Sequence, residues 1–513
     1  MRRSWPLWLG FLLAIAGFGL SRYGLPRGPF GYHPLIPLMT GARWAIWVLL
    51  GLGAALVVLA VAMLAGRLPR TSLLGPLVLL GPAAVFIHLS VQALLLESGT
   101  ESRDPQLLAQ LEGAKLAQPQ AADSDWPQWR GPLRDGRATG PLRTDWADQP
   151  PREVWRQPIG GGYSSVLYVD GKLYTQDRQP DAERVLCLDP QTGRALWVHA
   201  YPVDYATTNY FEGPRATPTF ADGRLYVVGA TGQFLCLALP TEEGAVPQLL
   251  WQHDLVKEFD APLPQWGIAS SPLLVGNLVV VQPGGRKGSI VAFDKVTGQL
   301  VWTSGADPSG YSSPIAAEFD QQQQIVAFTG KRMVGLDPAD GRELWSFAWS
   351  TNFDANIATP IVVENFVFLS SGYNAGCALL EIRRADQTWS AQPAYVQRNR
   401  LMRNHHSSCV LVDGFLYGFD CGPNLLTCID LRKGERRWQT RDFAKGGVLF
   451  ASGHLIVLTE DGELGLAEAN PEKAVPKGKF RVFDAAQVWA LPTLVEGRLY
   501  LRSNQEIACL DLR

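Results

Sequence analysis

His405 and His406 stand side by side in RNHHSS (403–408), behind Arg403 and Asn404. Adjacent imidazoles can act as acid and base or ligate a metal. Two consecutive histidines alone are a weak zinc signal, because such sites want three or more ligands at defined spacing. Glu212 and Arg215 share the stretch EGPRATP (212–218), and Arg215 can grip a carboxylate through two parallel bonds. Equally, Glu212 and Arg215 can form an ion pair that stiffens their loop, and the histidines can bond backbone carbonyls. Trp266 in WGIASSP offers a stacking face, and Tyr311, Asn356 and Trp489 add aromatic and polar groups in comparable stretches.

Other chemistries are poorly represented. There is no nucleophile motif, no phosphate-cradling glycine loop and no paired-carboxylate signature, so no catalytic set and no metal set is assigned. The 7 cysteines include no CxxC, no CxxCH and no adjacent pair, which speaks against haem, dithiol and metal roles. A net charge of −2 gives no electrostatic footprint for nucleic acid.

The candidate residues lie between copies of a repeat. In residues 289–302, SIVAFDKVTGQLVW, Asp294 precedes Gly298 by four positions and Trp302 by eight. The same spacing joins Asp189, Gly193 and Trp197; Asp337, Gly341 and Trp345; and Asp430, Gly434 and Trp438. This is hairpin grammar: Asp caps the turn, Gly supplies positive φ, and Trp fills a wide gap. Each unit opens on small residues, often Ser/Thr-Pro, followed by a hairpin such as VDGKLY or VEGRLY; the copy at Asp320 reads as a longer turn, DQQQQ. The fourth-strand aromatics are Trp155, Trp197, Trp251, Trp302, Trp345, Trp389, Trp438 and, less clearly, Phe480, spaced by about 42 to 54 residues, the length of a four-stranded propeller blade.

The fold expected is therefore an all-β, eight-bladed β-propeller of four-stranded antiparallel blades. The chain stops after a third strand at Arg513, and the strand around Trp155 has no blade of its own. Pairing the two closes the ring and hides both edges; seven blades with an irregular extension is the alternative. The loops entering each first strand then gather on one face around the channel. There they bring together Glu212, Arg215, Trp266, Tyr311, Asn356, Asn404, His405 and His406 as a ligand- or partner-binding face.

Ahead of the repeats, residues 1–96 are strongly apolar, with spans at about 5–20, 44–66 and 72–95; the last two reach the roughly 20 residues a transmembrane helix needs. With the N-terminus inside, Arg2, Arg3, Arg67 and Arg70 face the cytoplasm, in keeping with the positive-inside rule. The expected organisation is a membrane anchor of about three transmembrane helices (1–96), a linker (97–124) with a short helix near 107–116, and the propeller (125–513). The expected location is the bacterial cytoplasmic membrane, multi-pass, with the propeller on the periplasmic side.

The AxDxxTGxxxW repeat resembles the pyrroloquinoline-quinone (PQQ) repeat of quinoprotein alcohol dehydrogenase-like propellers. DWPQWRGPLRDG (125–136), EGPRATP, WGIASSP, QPGG (282–285) and NHHSS resemble the PQQ-binding-like β-propeller proteins, relatives of which often carry NHHGG. Among scaffolds, the resemblance extends to the propeller lipoprotein of the outer-membrane protein assembly (Bam) complex. It implies either a noncatalytic platform for an envelope protein or small ligand, or a PQQ-dependent dehydrogenase passing electrons to membrane quinone. The second would use PQQ with calcium, a catalytic Asp and usually a vicinal disulfide, and the disulfide is absent from this sequence. A third reading is binding of an envelope polymer through the aromatic loops.

Overall fold

In a computed structural model, residues 101–113, 125–206, 212–242, 244–485 and 487–513 are described. Their strands form eight sheets, each built on four antiparallel strands, in sequence order in seven of the eight. Blades 1 to 7 comprise residues 167–202, 219–254, 273–304, 315–348, 361–398, 410–440 and 446–481. Blade 8 takes three strands from 493–511 and its outermost from Arg152–Pro158, which pairs with Glu506–Asp511 and sets Trp155 opposite Cys509. The ring closes with eight blades, as the orphan strand implied. Its core is distributed: one apolar cluster lies at each of the eight blade-to-blade junctions.

The repeat grammar has the expected physics. Asp294 accepts from the amides of Val296 at 3.0 Å and Thr297 at 2.7 Å, and Asp189 does the same for Gln191 and Thr192. The turn glycine has φ of +69° at Gly193 and +73° at both Gly298 and Gly341, a conformation that costs other residues energy. It also lies against the tryptophan of the preceding blade, so a Cβ on Gly341 would collide with the Trp302 ring. Trp302 then donates its indole N–H to the carbonyl of Pro338, and Trp155 to that of Pro190. One motif therefore shapes a hairpin and bolts it to its neighbour.

The Ser/Thr residues opening the blades have a similar use. Ser165 donates its amide to the hydroxyl of Thr217, Thr217 to Ser271, and Ser271 to Ser313, at 2.9 to 3.0 Å. These bonds run from blade to blade around the channel.

Three readings need correction. Asp320 and Gln321, with φ of +47° and +61°, make an ordinary two-residue turn between Ile315–Phe319 and Gln322–Phe328. In blade 5 the third and fourth strands extend to Asp386 and Gln387, so Trp389 pairs near the hairpin tip with Arg384. Tyr395 occupies the tryptophan register there, beneath Gly434 of blade 6. In blade 7 that register falls on Gly478, opposite Leu466, while Phe480 lies opposite Leu464. The vacated space goes to Trp146, which is 2% exposed and meets the Phe480 ring edge-on at 6.0 Å.

The transmembrane spans expected within 1–96 lie outside the described residues. Part of the expected linker is ordered on the propeller. Glu101–Arg103 adds a fifth strand to the outer edge of blade 5, and helix Pro105–Gly113 follows, its first turn capped by Asp104. Leu107 is buried among residues of blades 5 and 6.

Candidate functional site: a plugged channel under an aromatic crown

Residues 125–138 occupy the axial channel. The segment enters beside Tyr168 of blade 1, where Trp126 forms an antiparallel bridge, and leaves where Arg137–Ala138 pairs in parallel with blade 7. Between these points Arg130 and Arg134, 2% and 4% exposed, spread their guanidinium groups among the innermost strands. Arg134 donates to the carbonyls of Pro314 at 2.8 Å and Pro272, and to Gln128 Oε1 at 2.8 Å. Arg130 donates to the carbonyls of Cys409 at 2.6 Å and Asp135 at 2.7 Å. Trp129 donates to Thr359 Oγ1. The chemistry follows from the ring: innermost strands turn unpaired carbonyls to the axis, and a guanidinium carries five donors in a rigid fork. Burial pushes Arg134 down to about 9, and pushes Arg130 down to about 10 against the opposing charge of Asp135.

Above the plug, the loops bring together a run of rings. Tyr163 lies against Trp489 with centroids 4.8 Å apart, Trp489 against His406 at 3.9 Å, and His406 against His405 at 3.7 Å. His405 meets Tyr373 edge-on at 4.9 Å, and Tyr373 stacks with Trp266 at 6.1 Å. Trp266 also touches Tyr311 and Phe353. At the other end the Arg215 guanidinium lies 5.8 Å from the rings of both Tyr163 and Tyr205. Phe353 is 54% exposed, with a φ of +64° that is unusual for an aromatic residue.

The histidines are engaged with a lysine. Lys445 Nζ donates to His405 Nδ1 at 2.9 Å, which fixes the neutral ring with its proton on Nε2, and pairs with Glu460 at 2.8 Å. Burial, then the neighbouring His406 and Lys445, hold His405 far below the usual imidazole range. Burial also lowers His406, opposed by Glu460 at 3.4 Å. His405 is thereby held out of the range in which a general base exchanges protons near neutrality. Among the described residues, no three His, Cys, Asp or Glu side chains gather as a metal-ligand set.

Of the residues singled out from sequence, Trp266, Tyr311, Arg215, His405 and His406 join the crown, with Glu212 beside Tyr163. Asn356 and Asn404 are buried and serve the fold. Asn356 donates to the carbonyls of Thr329 and Trp349 and accepts from Ser371; Asn404 donates to Phe419 O and accepts from Cys409. Tyr163, Phe353, Tyr373, Lys445, Glu460 and the two plug arginines escaped the sequence reading. The visible signal for the last was a pair of arginines inside DWPQWRGPLRDG, a stretch rich in turn formers.

A protein-family profile described as outer membrane protein assembly factor BamB matches residues 147–262 and 181–440, together more than half of the chain. The chain belongs to this family. A curated relative, the outer membrane protein assembly factor BamB of Nitrosomonas eutropha, is 24% identical over 276 residues, covering 50% of this chain and 58% of its own length. Among solved structures, BamB from Moraxella catarrhalis aligns with a TM-score of 0.49 at 15% identity, over 70% of this chain and 99% of that one. The quinohemoprotein alcohol dehydrogenase of Comamonas testosteroni aligns at 0.44 and 13%, over 79% and 84%. The last two likenesses are too distant to bear on function.

The family corrects the expected location. A multi-pass protein of the cytoplasmic membrane was expected, whereas the family and the Nitrosomonas relative are named for outer-membrane protein assembly. Among the described residues, no helix is long and apolar enough to cross a membrane. Residues 125–138 fill the axis, and a cleft between plug and crown is lined by Trp129, His406, Glu460 and Trp489.

Proposed function

We propose that this chain is a noncatalytic docking propeller of the cell envelope, binding a protein partner through its aromatic crown. The observation that carries the reading is the plug: the axis is filled by the chain's own Trp129–Arg130 and Arg134, so the crown is the surface left for recognition. Trp, Tyr and Arg dominate the binding energy of protein interfaces because they bury large area at little entropic cost. Here Trp266 and Arg215 supply those types, Tyr311 is buried against Trp266, Phe353 projects from the rim, and Glu212, His405 and His406 add polar edges. Asn356 and Asn404 hold the loops that present them.

The test is photo-crosslinking from positions beside Trp266 and Phe353 in intact envelopes, followed by affinity measurement on the captured partner. Trp266→Ala is expected to weaken binding by about tenfold or more, the loss of at least ~1.4 kcal/mol typical of a central anchor. Capture that is indifferent to both Trp266→Ala and Phe353→Ala would remove the crown from the interface. A saturable heat and spectral change on titration with PQQ and Ca²⁺ would instead establish a quinoprotein.

A further inference from the structure

We propose that the cleft between plug and crown, above the start of blade 7, is a binding site for a single neutral sugar ring. It lies at the Trp489 end of the crown, away from Trp266 and Phe353, and stands independently of the docking reading.

The cleft exists because blade 7 leaves out what other blades supply. Four residues before the end of the first strand, blades 1, 2, 3, 5 and 6 carry a hydroxyl: Ser165, Thr217, Ser271, Thr359 and Ser408. Thr359 donates its amide to Ser408 Oγ at 2.9 Å, continuing the bonds that run around the channel. In blades 7 and 8 the same position holds Gly447 and Leu491, so the ring of hydroxyls stops there. The chain also passes into blade 7 through residues 441–445 alone, whereas the entries to blades 6 and 8 run through 399–409 and 482–492. The opening falls at that gap, and Ser408, Gly447 and Leu491 all line it. A Cβ on Gly447 would meet a single atom within 4 Å, Leu491 Cδ1 at 3.2 Å, so the blade 7 side of the cleft is bare backbone.

The occupant follows from the lining. Trp129, Trp489 and Leu491 make part of it apolar, and His406, Glu460 and Ser408 make the rest polar. Its hydrogen-bonding capacity is mixed. Glu460 accepts; Ser408 Oγ already accepts from Thr359, which leaves its own proton to donate. The His406 ring, kept neutral by burial, has one donor and one acceptor. Charge, by contrast, is already settled. Glu460 pairs with Lys445 at 2.8 Å, and Arg130 spends its guanidinium on the carbonyls of Cys409 and Asp135. A charged ligand would have to break that pair or sit unpaired in a half-buried site. A purely apolar group would strip water from Glu460 without replacing its hydrogen bonds. A pyranose meets both demands: its C–H face packs on an aromatic ring, and its hydroxyls donate and accept.

The probes are the methyl glycosides of glucose, galactose, mannose and N-acetylglucosamine, titrated into the full chain by calorimetry with tryptophan fluorescence in parallel. At least one is expected to bind saturably, and glucuronate about tenfold or more weakly than the best of them. Gly447→Thr fills the cleft and restores the missing hydroxyl; it should weaken binding about tenfold or more while keeping or raising the melting temperature. Trp489→Ala, which removes an aromatic wall, and Glu460→Gln, which keeps the shape but not the charge, should each weaken it about tenfold. Both residues are only partly buried, so they carry the test if Gly447→Thr lowers the melting temperature. Val296→Ser, on an exposed turn of blade 3, should leave binding within about twofold. Comparing the best methyl glycoside with its free sugar names the source: a preference for the glycoside assigns a chain-end residue of a polymer, and a preference for the free sugar a soluble ligand, either one supporting the site. The proposal is overturned if no neutral probe binds saturably, if glucuronate binds more tightly, or if binding is indifferent to Gly447→Thr, Trp489→Ala and Glu460→Gln.

Discussion

Blades 3 and 4 follow the repeat, and blades 5 and 7 depart from it. In the first pair the Asp-capped turn, its glycine and the tryptophan beneath complete one junction between neighbours, as Trp302 does with Gly341 and Pro338. In the second pair the motif is broken, and both broken blades are completed by sequence that precedes the repeats. Blade 5 receives the strand Glu101–Arg103 along its edge. Blade 7 receives Trp146 over Gly478 and Arg137–Ala138 beside its first strand. A blade that cannot seal itself has to be sealed from elsewhere, because an unfilled interblade gap forfeits packing on both sides.

If Trp146 replaces the missing blade tryptophan, removing it should cost as much as removing a regular one. Trp146→Ala and Trp302→Ala are each expected to lower stability by about 3–5 kcal/mol, read as matched shifts in the denaturant midpoint. A far smaller shift for Trp146→Ala breaks the equivalence. The plug gives the next effect. Arg134→Met strands several buried carbonyls and should cost about 3 kcal/mol, with faster hydrogen exchange at the openings of blades 3 and 4. The smallest test separates the two demands on the glycines. Gly341→Ala meets both a left-handed backbone and the Trp302 ring, whereas a methyl group on Gly171, at φ +69°, would find nothing within 4 Å. The expected costs are about 2–3 kcal/mol at Gly341 and about 1 kcal/mol at Gly171; equal shifts in melting temperature would mean that strain alone matters.

Much of this was legible in sequence. The blade count, the ring closure through Trp155 and the Asp and Gly turn roles all came from spacing, as did the gathering of Trp266, Tyr311, Arg215, His405 and His406. The illegible parts share a cause. Trp389 and Phe480 looked like blade aromatics because composition does not report strand register: the blade 5 hairpin runs on until Ala385 pairs with Thr388, and in blade 7 the register position opposite Leu466 is Gly478. Asn356 and Asn404 looked available because a sequence does not show that their amides are already bonded inside the fold. The run DWPQWRGPLRDG was visible as a motif, but Arg130 bonds a carbonyl 279 residues away.

The sequence by itself determined the blade, since a capped turn, a positive-φ glycine and a hairpin are completed within about a dozen residues and need nothing distant. Tertiary structure alone decided what fills the centre and the gaps. Carbonyls left unpaired on converging inner strands exist only once the ring has closed, and only then can two buried arginines satisfy them.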